Sequence, residues 1–163
     1  MMVLPVTPDY SLRSIEATVE RRDFLISRSA LSQHENFMLC GLAVPTANGE
    51  KAPVYVHSKL MIVDGEFATI GSCNLHHYSL YGNGELNVAI QDDDAASTIM
   101  RELFREHIAR DVSDRNDLEA VELFKAIARR NRVQHARNER GWQGLAFSMD
   151  MSTYGERNQL AFP

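Results

Sequence analysis

The hydrophobic and polar positions of this chain change their period several times, and each change predicts a different element. Residues 11–33 contain no proline or glycine and mix Leu and Ile with Arg and Glu, which predicts a helix capped by Ser11. Residues 37–44 form a short apolar run typical of a buried strand. Residues 45–53, which include an Asn-Gly pair, are predicted to form a loop.

The middle of the chain reads as a series of short strands. Two apolar runs rich in β-branched residues, 54–63 and 67–70, are separated by an Asp-Gly pair, which indicates a hairpin. Residues 74–83 are predicted to be a loop or a short helix, because two glycines limit any longer helix. The run 85–91 predicts a further strand.

The C-terminal part of the chain is predicted to be mostly helical. Three aspartates precede an amphipathic pattern that predicts a helix from residue 92 to about Arg110, and a second helix is predicted from about Asp117. Residues 141–163 are too apolar for a free tail, so an irregular segment packed on the domain is expected. The order of elements predicts a single α/β domain over residues 1–163, with a mixed β-sheet flanked by helices.

Composition narrows the class of protein without identifying a function. A hydrophobic content of 44% and a charged content of 24% are ordinary for a globular domain, and no apolar run approaches the ~20 residues of a membrane span. The net charge of −5 makes a general nucleic-acid binder an unlikely class. With no signal peptide in the sequence, the chain is expected in the cytoplasm or at a membrane surface, unless its parent protein carries a signal elsewhere.

The chemistry-bearing part of the chain is residues 54–90. It contains the pattern HxKxxxxDxxxxxxGSxN, whose six fixed positions have little chance of arising at random. These positions are His57, Lys59, Asp64, Gly71, Ser72 and Asn74.

These residue types suit a phosphodiester site. His57 and Lys59 are two residues apart in a predicted strand, so both side chains are expected on one face. A neutral imidazole can attack phosphorus, and an ammonium can offset the negative charge of the transition state. The Ser72 hydroxyl and the Asn74 amide can donate hydrogen bonds to phosphate oxygens, and Gly71 has no Cβ to block a close approach.

The pattern resembles the HKD motif of the phospholipase D superfamily. The resemblance implies that Lys59 and Asn74 bind the phosphate with Ser72 close by, and that no metal or cofactor is needed. Glu85 matches the family's acidic residue, which accepts the proton of the far imidazole nitrogen of His57. The resemblance therefore implies catalytic roles for His57, Lys59 and Glu85, and a phospholipid substrate.

Several residues have a simpler structural interpretation. Asp64 stands where an Asp-Gly turn needs a short polar residue, so a turn role is favoured over direct chemistry. A structural role is also favoured for Gly71. Glu85 could be an ordinary charge at the start of a strand. The basic stretch at residues 129–140 could contact anionic lipid head groups at a membrane surface, but a solvated helix face is also consistent with it.

The chain contains one HKD motif, whereas the resemblance implies two histidines at one site. The favoured hypothesis is a phospholipase D-type phosphodiesterase or phosphatidyltransferase, similar to cardiolipin synthase, of which this chain is the C-terminal half. A second HKD half, from the same or another chain, would then complete the site. The alternatives are a single-motif nuclease that completes its site by two-fold dimerisation, and a catalytically incomplete domain that serves only in interactions.

Overall fold

The structure is a computed structural model that describes residues 1–7, 19–75, 77–155 and 159–160. Residues 11–18 of the first predicted helix, and residues 156–158 and 161–163 of the predicted packed segment, lie outside the described residues. The elements are β1 Met2–Val3, α1 Val19–Ser32, β2 Leu39–Pro45, β3 Lys51–Val54, β4 Leu60–Val63, β5 Phe67–Gly71, α2 His77–Tyr81, β6 Asn87–Gln91, α3 Asp93–Ile108, α4 Asp117–Ala136, β7 Ala146–Met149 and a 3₁₀ turn at Met151–Thr153.

The predicted mixed α/β class is confirmed, and the strands are distributed over two sheets where the sequence predicted one. The chain divides into two compact units. Unit 1 comprises residues 1–56 and 124–163, and unit 2 comprises residues 57–123. Within the described residues, no helix combines the length and the apolar surface that a membrane span requires.

The sheet of unit 1 is built around β2. Its first residues pair with β1 in parallel and with β7 antiparallel, with Leu39 opposite both Met2 and Met149. Its last residues pair antiparallel with β3, where Leu42 lies opposite Val54. The predicted loop over residues 45–53 is therefore wrong in part, because residues 51–54 form β3. Pro53 obscured this strand, since proline lowers strand propensity and is tolerated mainly at a sheet edge.

The core of unit 1 packs around this sheet. A buried cluster joins side chains of β2 and β7 to residues near both ends of the described chain. Its members are Val6, Leu39, Ala43, Phe147, Met149 and Tyr154. The Tyr154 hydroxyl donates a hydrogen bond to the Pro5 carbonyl at 2.9 Å, which satisfies the polar end of this buried ring.

A buried asparagine on α4 fixes the segment that was predicted to be irregular. The side-chain amide of Asn131 donates to the carbonyls of Gln143 and Ala146, both at 2.7 Å, and its oxygen accepts from the Gln143 N–H at 3.0 Å. The following residues form β7 on the edge of β2, so the prediction of an irregular segment is wrong at residues 146–149. The strand was missed because its partner is distant in sequence.

The basic stretch on α4 makes contacts within its own unit. Arg130 donates to the Gln143 side chain at 2.7 Å, and Arg132 donates to the Gln159 carbonyl. Burial lowers the pKa of Arg132, and the charge of Asp150 opposes that change. Two of the arginines therefore fasten the C-terminal segment, and contact of this stretch with lipid head groups stays a prediction.

Unit 2 contains the sheet β4-β5-β6, the short helix α2, the helix α3 and the start of α4. Its strands are all antiparallel, with Leu60 opposite Ile70 and Ile70 opposite Val88. Asp92 caps α3 by accepting the Ala95 N–H at 2.9 Å. The residues that α3 buries lie on one face at helical spacing, as the amphipathic pattern predicted, and they are Ala96, Met100, Phe104 and Ile108.

Asp117, the first residue of α4, holds unit 2 together. Its carboxylate accepts hydrogen bonds from Arg101 and Ser97 of α3. Its other oxygen lies beside the hairpin turn, where a Cβ added to Gly65 would come within 2.1 Å of it. The hairpin, α3 and the start of α4 therefore meet at one carboxylate.

Candidate functional site

The first two motif residues do not lie on a strand. Residues 55–59 belong to neither ladder, so the predicted strand that was to place His57 and Lys59 on one face is wrong over this segment. The reason is local pairing: the ladder of unit 2 begins only at Leu60. The structure joins the two residues differently, because the Lys59 ammonium donates a hydrogen bond to the His57 carbonyl at 2.8 Å. The His57 side chain is exposed.

Lys59 retains the capacity to bind an anion. An ammonium has three N–H groups, and the bond to the His57 carbonyl uses one of them. The Lys59 carbonyl accepts from the Gly71 N–H at 3.1 Å, which ties this segment to the end of β5. The backbone thus brings Lys59 next to the GSxN part of the motif.

Asp64 occupies the hairpin turn between β4 and β5. Its φ of 53° and the φ of 73° at Gly65 are both left-handed, as the two central positions of a type I′ turn require. The Glu66 N–H donates to the Val63 carbonyl at 3.0 Å and closes the turn. Asp is among the few residues that adopt this conformation at low cost, so the geometry supports the turn interpretation of Asp64.

Gly71 ends β5 where β6 comes very close. A Cβ at this position would lie 2.2 Å from the Leu86 carbonyl and 2.6 Å from the Asn87 Cα. Backbone atoms cannot yield as a flexible side chain can, so the strand pairing itself requires glycine here. This is a packing reason for the glycine, and its predicted benefit for a bound phosphate remains a prediction.

The Ser72 hydroxyl accepts one hydrogen bond and donates another. Its Oγ accepts the Leu86 N–H at 3.1 Å and donates to the Glu85 carboxylate at 2.5 Å. A hydroxyl has a single O–H to donate, and here that O–H points to Glu85. Donation from Ser72 to a phosphate oxygen, which the motif predicted, would require this bond to be exchanged, and it stays a prediction.

Glu85 is an ionised carboxylate with several donors around it. Hydrogen bonds from Ser72, and next from Ser79, hold the pKa of Glu85 below its ordinary value, and Asn83 and the positive charge of Lys59 act in the same direction. Desolvation raises the pKa of Glu85, but its effect is smaller than that of Ser72 or of Ser79. The predicted proton acceptance from His57 stays a prediction, because the described hydrogen-bond donors to this carboxylate are Ser72, Ser79 and Asn83.

Asn74 follows β5 and is held from α2. Its side-chain nitrogen donates to the Ser79 hydroxyl at 3.5 Å. The preceding Cys73 N–H donates to the Asn87 side-chain oxygen at 3.2 Å, which fixes the backbone between Ser72 and Asn74. Of the residues that the motif predicted, the structure thus connects Lys59, Ser72, Asn74 and Glu85.

Sequence reasoning missed Ser79 and Asn87. Neither is a fixed position of the motif, and Ser79 falls in a segment whose short helix has no clear period. Asn87 could have been found from the strand pattern, because pairing β5 with β6 places it opposite Gly71. In the described ranges, no three His, Cys, Asp or Glu side chains are grouped as a metal site requires.

Comparison with known proteins identifies the family to which this chain belongs. A family model described as "Cardiolipin synthase, PLD-like domain" matches residues 22–108, which is just over half of the chain and includes every motif position. The chain belongs to this family of phospholipase D-like domains.

Relatives with curated descriptions point to the same family. The chain is 31% identical over 84 residues to "Probable cardiolipin synthase YwiE" of Bacillus subtilis, 37% over 57 residues to "Phospholipase D B" of Dictyostelium discoideum, and 47% over 49 residues to "Phospholipase D zeta 2" of Arabidopsis thaliana. These alignments cover 51%, 33% and 29% of this chain but only 16%, 5% and 5% of the relatives. The search of solved structures gave no match.

Proposed function

We propose that this chain supplies one HKD half of a phosphodiesterase or phosphatidyltransferase site that acts on a phosphatidyl phosphodiester. The observation that carries the proposal is the arrangement of Lys59, Ser72, Asn74 and Glu85 about the end of β5, through the contacts described above. The Lys59 ammonium and the Asn74 amide retain N–H groups there for an anion, and the adjacent Glu85 carboxylate is ionised.

In the proposed mechanism, a histidine nitrogen attacks phosphorus and the P–O bond to the leaving alcohol breaks. A second histidine gives the leaving oxygen its proton. Water, or another alcohol in a transfer reaction, then gives a proton to this second histidine and attacks the phosphohistidine phosphorus, and the P–N bond breaks to release the imidazole. His57 takes one of these two roles, and Lys59 and Asn74 offset charge on the phosphoryl oxygens.

The second histidine must come from another HKD half. The sequence carries the motif once, and one face of the unit 2 sheet exposes apolar side chains, including Met61 at 54% and Val63 at 42%. Exposed apolar side chains gathered on one sheet are typical of a surface that packs against a partner. We propose that this partner is the second HKD half, from the same protein or from another chain.

The experiment combines solution mass with turnover. Light scattering across a range of concentrations gives the mass of the chain, and hydrolysis of bis-p-nitrophenyl phosphate gives its activity. An active dimer would support a complete site made from two copies of the chain. An inactive monomer that becomes active when a purified HKD half is added would support the half-site proposal.

The same preparation also tests the alternative that the chain serves only as an interaction domain. A monomer that binds no inorganic phosphate, and that gains no activity from any added HKD half, would contradict the proposed function. A dimer that cleaves DNA in preference to a phosphatidyl substrate would replace it with the nuclease alternative.

A further inference from the structure

A serine outside the motif connects two of the predicted site residues. Ser79 lies in α2, and only 7% of its surface is exposed. Burying a hydroxyl is unfavourable unless it is hydrogen-bonded, so its partners are informative. Those partners are the Asn74 amide and the Glu85 carboxylate.

The direction of these bonds is determined by chemistry. An ionised carboxylate can only accept, so Ser79 uses its single O–H toward Glu85. The hydroxyl oxygen then has lone pairs left, and it accepts the Asn74 N–H at 3.5 Å. The result is a chain of donors that runs from Asn74 through Ser79 to Glu85.

This chain orients the Asn74 amide. Because the amide nitrogen faces Ser79, one N–H is used there and the second N–H is left for another acceptor. The amide oxygen, which would repel a phosphate, cannot take that position without losing the bond. A fixed donor is worth more to an anion than one that must first be ordered.

Further contacts hold α2 against the same segment. The Cys73 Sγ lies 3.6 Å from the carbonyl oxygens of both Asn74 and Ser79, and its single S–H can donate to one of them at a time. Glu85 in turn accepts from Ser72 at 2.5 Å. Ser79 therefore belongs to a small network that includes Ser72, Cys73 and Asn74 of the GSxN motif.

We propose that Ser79 is a positioning residue that holds the Asn74 amide and the Glu85 carboxylate in one hydrogen-bonded unit, with the free Asn74 N–H directed at the substrate phosphate. The inference rests on the proposed function, because it assumes that Asn74 binds phosphate. It goes beyond that function by assigning a role to a residue outside the motif.

The test compares Ser79→Ala with Ser97→Ala in the full chain. Ser97 is a suitable control because it is a partly buried serine of the same unit, and its hydroxyl bonds Asp117 and Arg101 rather than a residue of the GSxN segment. Two quantities are measured for each variant: the pKa of Glu85, from carboxyl ¹³C NMR, and the affinity for inorganic phosphate. Melting temperatures show how much of each change is a general loss of stability.

The expected result is specific to Ser79→Ala. Loss of a donor raises the pKa of Glu85 toward its ordinary value, and Lys59 remains as the charged group that lowers it. Phosphate affinity falls by roughly three- to tenfold, the effect of one hydrogen bond. Ser79→Cys, which keeps the size and a weak donor, gives intermediate values, and Ser97→Ala changes only the melting temperature.

Unchanged Glu85 titration in folded Ser79→Ala would overturn the inference, as would equal changes in Ser97→Ala. If the unmodified chain binds no phosphate, the proposed function fails separately. In that case the Glu85 titration still decides whether Ser79 connects to this carboxylate. Should Ser79→Ala not fold, the comparison of Ser79→Cys with the unmodified chain takes its place, with a raised pKa supporting the inference and an unchanged one contradicting it.

Discussion

The two units of this protein use their polar groups in opposite ways. In unit 1 the Asn131 side chain is fully buried, and its described bonds fasten one backbone segment. In unit 2 the side chains of His57, Ser72 and Asn74 are exposed, and the Ser72 hydroxyl donates to the Glu85 carboxylate. A buried polar group with all its bonds satisfied stabilises one structure, whereas an exposed and partly satisfied group can exchange a bond for a ligand.

Their cysteines show the same contrast. Cys40 lies on β2 of unit 1, and burial raises the pKa of its thiol to about 12, against the weaker opposing effect of nearby positive charges. It therefore behaves as a small apolar side chain at neutral pH. Cys73 lies within the motif of unit 2 and is only partly buried. The comparison implies that substitutions in unit 1 should act mainly on stability and those in the motif mainly on chemistry.

The largest expected effect is that of His57→Ala on turnover. If His57 is the nucleophile or the general acid and base, its removal should lower kcat/KM by roughly 10³-fold or more, because the step has no substitute group. The exposed side chain packs little, so the melting temperature should stay within about 2 °C of the original. Steady-state kinetics and thermal unfolding of the active assembly check this. Full activity of the purified variant would reject the mechanism.

The next effect is that of Phe147→Ala on stability. This side chain is fully buried in the unit 1 core, so the cavity should lower the free energy of unfolding by about 3–5 kcal/mol. Ile26→Ala is the matched control, because its side chain is 56% exposed and should cost less than about 0.5 kcal/mol. Urea denaturation measures both. Equal costs would show that unit 1 is not packed as described.

A smaller effect is expected for Asn131→Ala. The variant removes one amide and leaves the Gln143 and Ala146 backbone groups without it, which should lower stability by about 1–3 kcal/mol. Hydrogen exchange should show the loss at β7 first, since these bonds precede that strand. Uniform loss of protection over both units would contradict a local role.

The smallest effect is that of Asp64→Ala. Alanine at a left-handed φ of 53° should cost about 1 kcal/mol, while Asp64→Asn should cost little, because asparagine tolerates this conformation. Neither change should lower turnover if Asp64 acts only in the turn. Loss of activity in Asp64→Asn, with an unchanged melting temperature, would instead give the carboxylate a chemical role.

What the sequence predicted well depended on local signals. The Asp-Gly turn, the amphipathic α3 and the motif each lie within a short stretch, and their residue types carry the information. The strand β7 was missed because it is defined by pairing with β2, which is distant in sequence, and such pairing leaves no local period. The strand β3 was missed because it contains Pro53. The strand predicted for residues 54–63 failed at residues 55–59, which pair with neither sheet.

The candidate site was predictable in its membership more than in its contacts. Spacing identified Ser72 and Glu85, but it did not reveal that the Ser72 hydroxyl donates to Glu85. Nor could spacing reveal Ser79, whose contribution depends on how α2 folds back over Asn74. Motif positions name the groups that a site uses, and the hydrogen bonds around them decide which way each group points.

The most direct test of the account is a crystal structure of this chain soaked with orthovanadate, which mimics a phosphoryl group in transfer. We predict vanadium density at unit 2, within coordination distance of a His57 ring nitrogen, with vanadate oxygens accepting hydrogen bonds from the Lys59 ammonium and the Asn74 amide. Vanadate found elsewhere, or no vanadate at concentrations that saturate active phosphodiesterases, would contradict the claim that this motif forms a phosphate site.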